Sequence, residues 1–162
     1  MKTAEILLSQ GYVAVVDSND AQRIEQYDWL AHTSKTGAVY AYRRDAEGKT
    51  VFMHREIMMA GDDPRMIDHA NGNTLDNRRV NLRFATAKQN AQNRRPIKDK
   101  TSKFKGVRWC PKSKKWRAEI RPSEGYKHLG FFDCERMAAH VYNCEALRQY
   151  GHFAWLNEVV NG

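Results

Sequence analysis

The sequence predicts an α+β protein, and three stretches carry that expectation. Residues 6–42 hold short apolar or alternating runs separated by turn formers, the pattern of a β-rich region. Residues 66–93 read as strand, long polar loop, strand and helix. Residues 104–150 read as three strands followed by one helix with an apolar side.

Taken in order, Ile6-Leu7-Leu8, Tyr12 to Val16, Trp29 to His32 and Val39 to Tyr42 are the predicted strands of the first region. Gly11, Ser18-Asn19-Asp20 and Lys35-Thr36-Gly37 punctuate them, since glycine and short polar side chains favour turn geometry. Asp20 to Tyr27 can form a short helix. Phe52 to Ala60 has helical spacing, with Met53, Ile57 and Ala60 on one face. This region is expected to pack on the segment that follows it.

That segment opens with Met66 and Ile67, which can bury, and then sets Asp68 beside His69. Asn71, Gly72, Asn73, Asp76 and Asn77 form a turn-rich loop. Leu82-Arg83-Phe84-Ala85 alternates as a short strand, and Thr86 with Gln89 has the spacing of a capping box at a helix start. The helix carries Asn90 and Asn93. A neutral imidazole is a suitable general base near neutral pH. A carboxylate with an amide oxygen suits a hard divalent cation whose other positions are filled by water and phosphate.

The spacing D-H-x-N-G-x-x-x-D-N-R-x-x-N-L-R-x-x-T-x-x-x-N resembles HNH nucleases of the phage and intron homing-endonuclease branch. The matching positions are Asp68, His69, Asn71, Gly72, Asp76, Asn77, Arg78, Asn81, Leu82, Arg83, Thr86 and Asn90. The resemblance implies a ββα-metal core with His69 as general base and Asp68 and Asn90 as metal ligands. Asn81 would brace the loop and orient His69, and Mg²⁺ or Mn²⁺ would be the cofactor. His54-Arg55 sits where such proteins carry a His-Arg, and His54 reads either as a packing residue or as part of the site. Arg78, Arg79 and Arg83 are either phosphate contacts or a solvated basic face.

Residues 94–103, polar, basic and broken by Pro96, read as a linker. Beyond it, Phe104 to Trp109, Lys115 to Arg121 and Lys127 to Phe132 are the predicted strands. Asp133 would cap a helix reaching Tyr150, its apolar side formed by Met137, Ala138, Val141, Tyr142, Ala146 and Leu147. The motifs Gly106-Val107-Arg108, K-W-R-A-E-I-R at 115–121, Leu129 to Phe132, Ala138 to Tyr142 and the closing Phe153 to Asn157 resemble the plant ethylene-response-factor (APETALA-type) DNA-binding domain. The resemblance implies that one sheet face meets double-stranded DNA in the major groove. Arg108, Trp109, Lys115, Trp116, Arg117, Arg121 and Lys127 are the candidate contacts, subject to strand register, and Trp109 and Trp116 read equally as packing.

The expected organisation is therefore 1–93, with a core at about 52–93, then 94–103 as linker and 104–162 as the second domain. Charge divides unevenly along it. Residues 1–66 carry 8 Lys+Arg against 10 Asp+Glu, whereas residues 67–162 carry 19 against 9. A basic second half points to a polyanionic partner. No apolar run approaches membrane-spanning length, and Met1 to Glu5 lacks a secretory-signal pattern. Three scattered cysteines, with no C-x-x-C, suit a reducing cytoplasm, that of a bacterial host if the chain is phage-encoded. The expected function is metal-dependent DNA cleavage by a monomer or homodimer. The alternative is a non-catalytic DNA-binding regulator on the same scaffold.

Overall fold

In the computed structural model, which describes residues 2–96, 101–122 and 125–159, the chain forms two compact units, Met1–Ala87 and Lys88–Gly162. Helices and antiparallel sheets share it, giving the expected α+β class. Each unit has its own buried core.

In the first unit, β1 (Thr3–Leu7) and β2 (Val13–Asp17) pair as a hairpin with Ile6 opposite Ala14 and Ala4 opposite Val16. The period of two turns Ile6, Ala14 and Val16 inward. The helix α1 (Ser18–Ile24) begins two residues earlier than expected and buries Ile24, whose carbonyl accepts the Trp29 indole N–H at 2.8 Å. A second sheet has the order β3 (Leu30–Thr33), β4 (Val39–Arg44), β5 (Thr50–Phe52).

The predicted helix over 52–60 is shorter, α2 (Met53–Ile57), because Phe52 is still in β5 and the chain closes the helix at Met59. Met59 adopts φ 49°, and the Ala60 N–H reaches back to the Arg55 carbonyl at 3.0 Å, the bond of a left-handed helix stop. Met53 and Ile57 are fully buried, as their spacing predicts. They share one core with Val16, Ile24, Ile67 and Leu82, so the N-terminal strands and the later segment bury a common interior. In that segment β6 (Met66–His69) pairs antiparallel with β7 (Leu82–Ala85), and α3 (Ala87–Gln92) follows in sequence directly after Thr86.

The second unit holds β8 (Val107–Cys110), β9 (Lys115–Ile120) and β10 (Lys127–Phe132), with β9 central, and α4 (Glu135–Tyr150) packed on one sheet face. The buried stripe of α4 is Ala138, Ala139, Tyr142 and Ala146, narrower than predicted. Met137 and Leu147 are exposed, because small side chains set the helix close to a sheet only three strands wide. Gly106 makes that approach possible: φ is +76°, and a Cβ there would collide with the Tyr142 ring and the Glu119 carbonyl. The N-cap of α4 is Cys134 rather than Asp133, and it supplies no side-chain cap. Asn157 closes the unit, accepting the Lys105 N–H at 2.7 Å and donating to the Lys105 carbonyl at 3.0 Å.

Of the linker read at 94–103, residues 97–100 lie outside the described residues. Thr101 and Ser102 are tied to the sheet unit: Trp109 N–H donates to Thr101 Oγ1, and Phe104 N–H to Ser102 Oγ. All three cysteines are free thiols.

Candidate active site

Asp68 and His69 end β6, and both are buried, with 5% and 4% of their surface exposed. The partner strand sets Arg83 directly opposite Asp68 and Leu82 opposite His69. A buried carboxylate needs a partner, and Arg83 supplies it, with Nε and Nη2 at 2.8 and 2.6 Å from Asp68 Oδ2.

His69 sits among rings. The His54 ring meets it edge-on at 5.3 Å, and Tyr40 does so at 6.3 Å. Phe52 stacks on His54 at 5.4 Å. Burial pushes the His69 pKa down, opposed by the Asn77 hydrogen bond and the charges of Asp68 and Asp76. The ring is therefore neutral at neutral pH. Its Nε2 lies 3.3 Å from Asn77 Oδ1, an atom that can only accept. Nε2 thus carries the proton of the neutral ring. His54 is driven further, to about 3, chiefly by burial and then by His69 and Arg55.

The loop between β6 and β7 is fixed by its own amides. Asn81 Oδ1 accepts the Asn71 N–H at 2.9 Å, and Asn81 Nδ2 donates to the Asp76 carbonyl at 2.7 Å. Asn81 therefore braces the loop but does not touch the imidazole; the side-chain bond to His69 comes from Asn77. Strand β2 pins the same loop from outside. Val15 N–H donates to the Leu75 carbonyl at 2.8 Å, and Asn77 N–H donates to the Val15 carbonyl at 2.7 Å. The N-terminal region thus helps to build this site, through Val15, Tyr40 and the shared core.

Two of the three arginines of this segment are loop clamps. Arg78 grips both oxygens of Asp76 at 2.7 and 2.6 Å, and Arg79 grips both oxygens of Asp20 at 2.7 and 2.8 Å. Arg78 is the main reason the Asp76 pKa is lowered, and Arg79 the main reason the Asp20 pKa is lowered. Arg79 N–H also donates to Asp17 Oδ2 at 2.8 Å. All three arginines read from sequence as phosphate contacts are thus engaged with aspartates, Arg83 with the candidate ligand itself.

In the second unit the register sorts the candidate contacts. Directly opposed residues share a face, so Arg108 and Arg117 lie together, with Cys110 and Lys115 beside them. Trp116 lies on the other face and packs against the core, and Trp109 pairs with it at 5.2 Å while 37% exposed. Lys127 is opposite Ile120, on the helix side, where it donates to Glu145 of α4 at 2.8 Å. Trp116 and Lys127 therefore leave the outer face. Arg121 follows β9 and is exposed. On the outer face, Arg108 and Arg117 converge on Glu119 Oε2 at 2.7 and 2.6 Å, and Tyr126 donates to the same oxygen at 3.0 Å.

Among the described residues no three His, Cys, Asp or Glu side chains gather into a metal cage. A Mg²⁺-like site does not require one, since one or two carboxylates with water and substrate phosphate complete it. The Asp68 carboxylate fits that donor role, with Arg83 as the cation now beside it. Asn90 lies within α3.

Residues 58–92 match a protein family described as HNH endonuclease, a stretch that contains β6, β7 and α3. The chain is 39% identical over 79 residues to Protein 3.8 of Escherichia phage T7, covering 46% of this chain and 64% of that protein. The chain thus spans a little under two thirds of that relative. It is 29% identical over 155 residues to an uncharacterized HNH endonuclease of Acanthamoeba polyphaga mimivirus, covering 93% of this chain and 77% of that protein. No solved structure matches it. The family similarity and the viral relative support a nuclease, and HNH nucleases act on DNA and generally use divalent metal ions. No helix among the described residues is long and apolar enough to cross a membrane.

Proposed function

We propose that this chain hydrolyses phosphodiester bonds of double-stranded DNA with the help of Mg²⁺ or Mn²⁺, as a homing-type nuclease of a phage or mobile element. The observation that carries the reading is His69, buried next to Asp68 at the end of β6 with its Nε2 held by Asn77, inside the stretch that matches the HNH endonuclease family.

His69 Nδ1 takes the proton of an attacking water. Asp68 would hold the cation, and the sequence pattern adds Asn90 as a second oxygen ligand. When bound, the cation relieves charge on the phosphoryl oxygens and the leaving 3′ oxygen. Asn81 and Asn77 keep the loop and the imidazole in register. The outer sheet face of the second unit, with Arg108, Lys115, Arg117 and Arg121, binds the duplex, and Trp109, on the opposite face of edge strand β8, meets it only where DNA wraps that edge. In this reading the domains divide near residues 94–103, and the protein works as a monomer that nicks or a homodimer that cuts both strands.

The test uses supercoiled plasmid carrying phage DNA, with Mg²⁺, Mn²⁺ or EDTA. Wild type should nick or linearise it only with metal, and His69→Ala should bind DNA but lose cleavage by at least about a hundredfold, the low end of a general base's contribution. The rival reading, a DNA-binding regulator, is favoured by one observation: Arg83 already occupies Asp68. Binding by both proteins with cutting by neither, across several metals and DNAs, would establish that rival.

A further inference from the structure

We propose that Phe131 is a sequence-reading contact: a bulge in β10 turns its ring onto the basic outer face of the sheet, where it covers the 5-methyl group of a thymine close to the base that Arg117 meets. The inference rests on the reading of that face as the duplex-binding surface.

The register of β10 against β9 shifts by one residue. Lys127 lies opposite Ile120 and His128 opposite Glu119, but the next pairing is Gly130 with Ala118, so Leu129 is an extra residue. Leu129 packs inward against the cores beneath the sheet. In unbroken alternation, a strand with Lys127 inward and His128 outward would also send Phe131 inward. The inserted residue reverses this. Phe131 lies directly opposite Arg117, on the face that carries Arg108 and Lys115, while Phe132 lies opposite Trp116 and packs toward the core. Bulges re-aim side chains in this way. Gly130 supplies the backbone it needs, with φ +134°, where side-chain-bearing residues are strained.

The outcome is an apolar ring among charges. Of the six phenylalanines, all among the described residues, Phe131 alone is exposed, at 45%. The His128 ring lies against it at 4.8 Å, which limits the freedom the phenyl would lose on binding. Contacts to phosphate carry no sequence information and have no use for a phenyl group. The major groove, in contrast, offers an apolar feature in the thymine methyl, for which phenylalanine is a suitable partner. Directly opposed residues of an antiparallel pair have Cβ atoms about 5 Å apart, and successive bases of a strand rise about 3.4 Å. Arg117 and Phe131 therefore reach bases one or two steps apart. Arg117 shares its carboxylate oxygen with Arg108, and can donate to a guanine edge while the phenyl covers the nearby methyl.

The experiment uses the full chain in EDTA. Wild type first selects its preferred duplex from a randomised pool. That duplex is then made with thymine or with uracil, which pairs alike but lacks the methyl group, and affinities are read by fluorescence anisotropy at several salt concentrations. The variants are Phe131→Ala, Phe131→Leu, Arg117→Ala and Leu147→Ala, the last removing an exposed apolar side chain from α4. Thermal melts report folding. Wild type and Leu147→Ala should bind the uracil duplex about fourfold more weakly for each thymine covered, the worth of one buried methyl group, whereas Phe131→Ala should bind the two duplexes within about twofold of each other. Phe131→Leu should keep part of the preference, and it carries the test if the alanine variant does not fold. Equal binding of both duplexes by wild type, a full thymine preference in Phe131→Ala, or a pool that yields no preferred sequence overturns the role of Phe131 while leaving the face a phosphate-binding surface. Wild-type affinity and salt slope in Arg117→Ala would remove the reading of the face itself, and the role of Phe131 with it.

Discussion

Two pairs of arginines, one pair in each compact unit, meet their carboxylates in different ways. In the first, Arg78 and Arg79 each clasp both oxygens of a nearly buried aspartate, Asp76 or Asp20. In the second, Arg108 and Arg117 stand on a sheet face and share a single oxygen of Glu119. The Nε of Arg117 is buried there without a hydrogen bond. A guanidinium that neutralises its own buried carboxylate belongs to the folded interior. One that shares an acceptor has hydrogen-bonding capacity left for a phosphate or a base edge. Basic composition alone therefore does not locate a nucleic-acid surface; the ratio of arginines to the carboxylates they touch does.

The largest effect expected from this contrast is on stability. Arg79→Ala removes the leading partner of Asp20, leaving Arg23 alone on it, and also loosens a clamp at the foot of the site loop. Unpairing a buried charge costs several kcal/mol, and partial exposure of Arg79 lowers that to about 1–3 kcal/mol in urea unfolding. Arg117→Ala leaves Arg108 and Tyr126 on Glu119 and removes a buried Nε that has no partner, so it should cost less than about 1 kcal/mol. Equal losses at the two sites would break the comparison.

The next effect lies in binding and runs the other way. Arg108→Ala and Arg117→Ala should each reduce the slope of log affinity for duplex DNA against log salt by about 1. Arg79→Ala should leave that slope unchanged. A change of slope only in the first-unit variant would place the DNA on the clamped arginines instead.

A smaller effect concerns pH and sharpens the account of the ring cluster. His54 is held neutral, with its pKa pushed from an ordinary 6.5 to about 3, while in the unfolded chain it titrates normally. Between those values the unfolded state binds the extra proton, so stability rises with pH across that window. It is complete above about 6.5 and is lost as pH falls toward 3, by at most about 1.4 kcal/mol per pH unit from this residue. The buried His69, also lowered, adds in the same direction. His54→Phe should flatten the acid limb of the unfolding midpoint. An unchanged limb would mean that other groups set it.

Much of this was legible in the sequence, for identifiable reasons. Alternation marked β7 to the residue and most of β9, and the run Lys127 to Phe132 marked β10. The turn-rich amides marked the site loop because those side chains substitute for backbone partners. What could not be read were long-range choices. Asn77 looked like a loop former, and only the fold, through the backbone of Val15, brings its oxygen to His69. Tyr40 lay in a strand whose alternation was evident, but nothing local indicated that its ring would face the imidazole. Arg83 occupied a basic motif position, and its engagement with Asp68 depends on the pairing of two strands separated by the loop. Met59 ended α2 in a conformation normally left to glycine, which residue type alone does not announce.

Lys127 provides the smallest expected effect and a strict test of register. Its sequence position, at the head of a strand in a basic segment, made it a natural DNA contact. Pairing with Ile120 turns it instead toward α4, where its ammonium donates to Glu145 Oε1 at 2.8 Å. Glu145 is also held by Arg148 and Gln149, and these bonds keep its carboxyl well below the usual carboxylate range. Removing one of three partners from a partly buried carboxylate leaves the other two, and a pair whose lysine is exposed contributes little by itself. Lys127→Ala should therefore leave both the unfolding midpoint and the salt slope of DNA binding where wild type has them. A drop in slope matching that of Arg117→Ala would show that β10 presents Lys127 to DNA, and the register that separates the two faces of this sheet would have to be redrawn.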